Sequence, residues 1–135
     1  MGALIDSSVL IEADRGKLDL ARLAAQYAQE TFAISAVTAS ELLYGVHRAV
    51  APAQRAKRRA FVEGLLASMP VLPFDLVTAR AHAELWARLT KTGSQIGELD
   101  SMIGATALVW NLTVITCDER SFPRVPGLRV IVLKK

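Results

Sequence analysis

Three short apolar runs, each stopping at a polar residue and each separated from the next by long helical patterning, constrain this chain more than any other feature. Ala3-Leu4-Ile5 stops at Asp6, Thr31-Phe32-Ala33-Ile34 stops at Ser35, and Leu112-Thr113-Val114-Ile115-Thr116 leads through Cys117 to Asp118. A strand with one wet face alternates apolar and polar side chains, whereas a strand covered on both faces does not. Runs without that alternation predict a parallel sheet with helices on both sides, an α/β arrangement. Arg129-Val130-Ile131-Val132-Leu133 is a further strand of this kind. Pro70-Val71-Leu72-Pro73-Phe74, bracketed by prolines that cannot donate to a ladder, is a short or edge strand.

Between the runs the apolar spacing turns helical. Ser7-Ser8 offer hydroxyl caps to a helix carrying Val9, Leu10 and Ile11, which Gly16 breaks. Residues 18–29 place Leu20, Leu23, Ala24 and Tyr27 on one face. Residues 36–50, capped by Ser35, carry the stripe Leu42, Leu43, Val46 and Val50, with Glu41 off it. Pro52 separates these from a helix over 53–68, basic at its start and apolar later, and Asp75 caps another that runs to about Thr92. His47, His82 and Cys117 fall where structural or solvated side chains are expected, and Trp86 and Trp110 within apolar helical patterns where core packing is expected. At 135 residues and 52% hydrophobic, with no linker, repeat or low-complexity tract, the chain is expected to be a single domain over residues 1–135.

The single cysteine excludes an internal disulfide and a metal site built on thiolates, and fits a reducing compartment. Asp6 interrupts the N-terminus before a signal-like run develops, and no stretch reaches the roughly 20 apolar residues of a membrane span, so a soluble, cytoplasmic protein is expected. A net charge of +3 suits a polyanionic partner.

The chemistry gathers in the acids. In Ile96-Gly97-Glu98-Leu99-Asp100-Ser101-Met102-Ile103-Gly104-Ala105-Thr106-Ala107, Asp100 opens a small-residue helix that is apolar around most of its girth. A first-turn carboxylate is favoured by the helix dipole and by unpaired amides, so an N-terminal cap explains it in part. Asp6 and Asp118, however, lie at or just past the ends of two strands, and Glu41 lies in the helix after a third. In an open parallel sheet ligands bind beyond the carboxyl ends of the strands, so all four acids are candidates for one edge. Two unit charges about 4 Å apart repel by roughly 4 kcal/mol at an effective dielectric near 20. A divalent cation relieves that repulsion, and oxygen ligands without histidine or thiolate suit magnesium or manganese.

The run before Asp6 with Ser7-Ser8 after it, Thr38-Ala39-Ser40-Glu41-Leu42-Leu43-Tyr44-Gly45-Val46, the Asp100 segment, and Thr116-Cys117-Asp118 with Phe122 and Val125-Pro126-Gly127-Leu128 together resemble the PIN-domain ribonucleases. The similarity is nearest to VapC-type toxins of prokaryotic toxin–antitoxin pairs and runs through the whole chain in order. It implies a Rossmann-like three-layer α/β/α fold with a short, mostly parallel sheet. It also implies a Mg²⁺- or Mn²⁺-dependent endoribonuclease that inhibits translation and growth, with transfer RNA among its substrates. The acids matching Asp6, Glu41, Asp100 and Asp118 form the metal site and catalytic centre in that family, with Ser8 and Thr116 supporting them; the one matching Asp118 is the least constant. A VapB-type antitoxin whose peptide covers the active-site groove, and a homodimer, are implied as well. Two departures from the family pattern stand out. Ser7-Ser8 replaces threonine followed by asparagine or serine, and Gly104 replaces a usual alanine.

Other classes fit less well. No Gly-x-Gly-x-x-Gly follows the first strand, as a dinucleotide-binding domain requires. Ser8 stands where a phosphoaspartyl hydrolase of the haloacid dehalogenase type has a second aspartate, and Asp6 lacks the paired acid of a receiver domain. The alternative is a non-catalytic PIN-like module that binds RNA or an antitoxin. Glu98 is a further acid that either joins the site or stays a solvated loop carboxylate, and Arg48, Arg55, Lys57, Arg58 and Arg59 are either an RNA-tracking patch or a solvated helix face.

Overall fold

Strand β1 (Gly2–Ile5) is buried at every position, and the reason is its place in the sheet: it is the central strand of five in the computed structural model, which describes residues 2–134. The chain continues through α1 (Ser7–Asp14), α2 (Leu20–Gln26), β2 (Thr31–Ser35), α3 (Ala36–Arg48), α4 (Pro52–Ser68), β3 (Val71–Leu72), α5 (Leu76–Lys91), α6 (Glu98–Trp110), β4 (Thr113–Thr116), a 3₁₀ turn at Phe122–Arg124 and β5 (Val130–Val132). Every strand pair is parallel, in the order β3-β2-β1-β4-β5. The continuously apolar runs thus become a parallel sheet, and the proline-bracketed segment becomes its edge.

Side chains along β1 point to opposite faces in turn. Ala3 and Ile5 join a core with Val9, Leu10, Leu42, Val46, Val62 and Leu65, which packs α1, α3 and α4 against one face. Leu4 points the other way, among Ile103, Ala107, Val114 and Phe122, where α6 covers the second face. Helix α5 packs outside α6 through Leu85 and Leu89 against Ala105 and Val125. These layers are the α/β/α arrangement expected. No helix among the described residues is long and apolar enough to cross a membrane.

Several local expectations are corrected. The expected helix over 18–29 is confined to Leu20–Gln26, capped by Asp19, whose side chain accepts from the Arg22 amide. Helix α3 ends at Arg48, and Ala49 takes an extended conformation; Val50 consequently swings out to 87% exposure while Ala49 is buried in its place. Trp86 and Trp110, expected in the core, are 59% and 50% exposed. Leu99, expected on the buried face of its helix, is also exposed. Ser35 and Asp75 cap as expected, each accepting from a backbone amide three residues on.

Two mid-helix glycines have different neighbours. At Gly45 an added Cβ would meet only Arg58 Cδ, at 3.9 Å, because the Arg58 side chain lies across this turn and donates to the Gly45 carbonyl at 3.2 Å. That is an ordinary van der Waals distance, so the α3–α4 contact does not itself require a glycine here. At Gly104 an added Cβ would lie 3.4 Å from Val125 Cγ2, an ordinary van der Waals contact. Gly104→Ala is accordingly expected to stabilise the protein by up to about 1 kcal/mol through helix propensity. A lowered urea midpoint would show that Val125 cannot accommodate the methyl group.

Candidate active site

The strand order reverses its direction of growth between β1 and β4: β2 and β3 extend the sheet one way, β5 the other. Connections diverge at this switch point, leaving a crevice beyond the strand ends. Asp6 follows the last residue of β1 and continues the ladder, its amide donating to Ile115 O at 2.9 Å. Thr116 ends β4. Asp6 is 3% exposed, and two hydroxyls converge on one of its oxygens: Ser8 Oγ donates to Oδ2 at 2.7 Å and Thr116 Oγ1 donates to the same atom at 2.8 Å. Each hydroxyl in turn accepts a backbone amide, Cys117 N–H onto Ser8 at 2.9 Å and Asp118 N–H onto Thr116 at 2.9 Å. Both hydroxyl hydrogens are thereby committed to Oδ2. The second oxygen, Oδ1, is buried without a hydrogen-bond partner.

Glu41, on α3, repeats the pattern: Oε1 is buried with no hydrogen-bond partner. Burial raises the pKa of Glu41; the Ser7 hydroxyl bonds it and works the other way, while the negative charges of Asp6 and Asp100 add to the rise. Asp100, in the first turn of α6, is also raised, first by burial and then by Asp6, with the Ser121 hydroxyl opposing and Asp118 adding. Asp118 moves oppositely. Burial acts against it, but the amides of Arg120 (2.8 Å) and Ser121 (3.4 Å), the Ser121 hydroxyl and the Arg120 charge hold its pKa below the usual value. Asp6, Glu41 and Asp100 thus feel one another across a single crevice, and Asp118 touches the group through Asp100. Two of them sit in it at a raised pKa, the mark of carboxylates gathered without their counter-charge.

The expected capping roles are corrected here. Gly97 occupies the N-cap of α6 and Asp100 makes no side-chain capping bond; its carboxylate turns back toward Gly97, 3.5 Å from where a Cβ there would lie. Ser8 does not cap α1, because its hydroxyl is spent on Asp6. Two positioning residues, Ser7 for Glu41 and Ser121 for Asp100 and Asp118, were missed. Sequence held a clue only to the turn itself, since an aspartate commonly accepts the amide two residues on, as Asp118 does from Arg120.

An orphaned carboxylate oxygen in a buried site costs free energy that a cation removes. Hard anionic oxygens, with no imidazole or thiolate among them, are the donor set for magnesium or manganese. Among the described residues no three such side chains are grouped so as to hold one ion together. Magnesium does not require such a group, since it keeps several waters and takes one or two carboxylates. The residues fit the ion.

From Glu41 a groove of about 590 Å³ runs between α1, α3 and α4, past Tyr44, Arg48 and Arg58. The basic cluster divides along it. Arg58 pairs with Asp14 at 3.2 Å and Arg55 donates to Ala49 O at 2.9 Å, so both hold the α3–α4 junction. Arg48 lies over the exposed Tyr44 ring, 5.7 Å from its centroid, and remains available at the surface.

The sequence profile of the PIN domain matches residues 3–128, and a VapC1 ribonuclease of Rickettsia felis is 32% identical over 133 residues, covering 98% of this chain and 97% of the relative. The chain belongs to the VapC family of PIN-domain proteins. A tRNA(fMet)-specific endonuclease VapC of Salmonella typhimurium is 35% identical over 97 residues, 72% of this chain and 71% of the relative. The crystal structure of a DNA-bound VapBC from Salmonella typhimurium superposes with a TM-score of 0.86 at 28% identity, covering 97% of each chain. In this PIN domain the switch-point crevice is therefore the family's fold at the place where the acids meet.

The raised pKa of Asp100 has a consequence for the metal-free VapC fold. Its ordinary value is 3.8, so the folded state holds the proton to higher pH than the unfolded chain does. Stability is then unaffected below the unfolded value and falls as pH rises through the folded one. Asp100→Asn removes the charge and keeps an acceptor for Ser121. In EDTA at pH 7.5 it is expected to melt about 2–4 °C above the wild type, the shift that roughly 1 kcal/mol produces, tempered by solvent screening of this half-open site. The gap closes toward pH 4; a gap that widens there contradicts the assignment.

Proposed function

We propose that this protein is a Mg²⁺- or Mn²⁺-dependent endoribonuclease, the toxin half of a VapBC-type pair, that hydrolyses phosphodiester bonds in RNA and so inhibits translation. The observation that carries the reading is the pair of buried, partnerless oxygens, Asp6 Oδ1 and Glu41 Oε1, beside Asp100 in the switch-point crevice. Asp6, Glu41 and Asp100 are the candidate ligands, one or two of them binding the ion directly and the rest, with Asp118, through its waters. When bound, the ion lowers the pKa of attacking water and neutralises charge on the phosphate. Ser8 and Thr116 hold Asp6 Oδ2 so that Oδ1 faces the ion, and Ser121 holds Asp100. Arg48 in the groove meets the RNA backbone as a cation.

The Salmonella relative named for tRNA(fMet) makes transfer RNA the first substrate to try. The VapBC structure supports a VapB-type antitoxin as partner; a homodimer and a cytoplasmic location complete the proposal. The test is cleavage of total cellular RNA by purified, antitoxin-free protein with Mg²⁺, with Mn²⁺ and with EDTA. Discrete fragments that require metal are expected. Binding without cleavage leaves the non-catalytic module in its place, and equal cleavage in EDTA overturns the carboxylate–metal centre.

A further inference from the structure

Where α5 meets the first turn of α6, a cavity of about 320 Å³ is walled by His82, Trp86, Leu89, Ile96, Glu98 and Ser101. Its polar groups are set by a short relay. Ser101 Oγ donates to the Glu98 carbonyl at 2.6 Å, so its lone pair accepts from His82 Nε2–H at 2.9 Å. His82 therefore donates from Nε2, and its Nδ1 has no hydrogen-bond partner among the described residues. Phe74 buttresses His82 edge-on, with centroids 5.7 Å apart. Trp86 lies on the other side, its centroid 5.9 Å away and its plane tilted 32°, and it is 59% exposed. Core packing does not account for so open an indole in a walled cavity. Ser101 directly follows Asp100 on α6, so the cavity and the crevice share the first turn of one helix on different faces.

We propose that this cavity is a nucleobase subsite that takes one unpaired base of the RNA, guanine by preference. The inference rests on the ribonuclease reading and deepens it. An indole face stacks any base. Discrimination comes from Glu98, whose carboxylate accepts two parallel N–H bonds. The Watson–Crick edge of guanine, N1–H beside the N2 amino group, supplies that pair; adenine, cytosine and uracil do not. The Gln95 amide, also on the wall, supplies a donor for O6.

The test measures affinity for a uridine hexamer bearing one central guanosine and for the all-uridine hexamer, both in EDTA, with sedimentation alongside. The wild type is expected to favour the guanosine hexamer about tenfold. Trp86→Ala is expected to weaken both hexamers about tenfold, the scale of one lost stack, and Trp86→Phe to retain most of the affinity. Glu98→Gln is expected to abolish the preference and leave all-uridine binding unchanged. Wild-type affinities in all three variants overturn the subsite while leaving cleavage standing. A smaller sedimenting species for Trp86→Ala with unchanged RNA affinity also overturns it, because this face then covers a second copy of the chain. A wild type that neither binds nor cuts RNA removes the ribonuclease reading and the subsite with it.

Discussion

Asp6→Asn is expected to lower RNA cleavage by about 10³-fold while leaving the fold intact, the loss that follows when several kcal/mol of charge stabilisation leaves the transition state. The substitution is nearly isosteric, but its polarity is reversed where it matters. The hydroxyls of Ser8 and Thr116 both donate to Oδ2, so the asparagine carbonyl takes that position and the amide NH₂ takes the position of Oδ1. A donor then stands where the proposed cation would bind. Ser8→Ala and Thr116→Val, which loosen the carboxylate without removing it, are expected to cost about 10–100-fold. Thr116→Val also strands the Asp118 amide and lowers stability by about 1–3 kcal/mol. Cleavage rates and melting curves measured together separate these effects; an Asp6→Asn protein that cuts at the wild-type rate removes Asp6 from the metal site.

Phe122→Ala is expected to cost about 3–5 kcal/mol, a large share of the stability of a domain this size. Phe122 is fully buried and fills the space between β4 and α6 with Leu4, Ile103 and Val114. It also follows Ser121, so the cavity lies directly beneath the turn that bonds Asp100 and Asp118. Urea unfolding reads the effect as a fall in midpoint at constant slope. A loss below about 1 kcal/mol shows that the neighbouring side chains collapse into the space.

The parts of the site that lie at strand ends were legible from sequence, because a parallel sheet puts its chemistry there whatever the rest of the chain does. Asp6, Thr116 and Asp118 fall in this class, and the fold class followed from the same unalternating runs. Features that depend on packing between distant elements were not legible. Val50 continues the apolar stripe by spacing, but a stripe holds only while the backbone stays helical, and Ala49 leaves the helix. Trp86 and Trp110 carry helical spacing too, yet α5 and α6 bury other faces against each other through Leu85, Leu89 and Ala105. Asp100 read partly as a cap because local rules see the helix end and not the crevice beyond it. Ser7 and Ser121 escaped because each matters through a partner far along the chain.

The central position of β1 bears on when such a protein becomes dangerous to the cell that makes it. Asp6 leaves the ribosome well before the threonine that orients it, which lies 110 residues later, with Ser121 later still. Contacts so distant in sequence form slowly and only once both partners are free. A nascent chain holds β1, β2 and the first four helices without the strand that closes the crevice. No working centre can exist until the chain through Ser121 has emerged, so the acids stay apart while the strands before it are made.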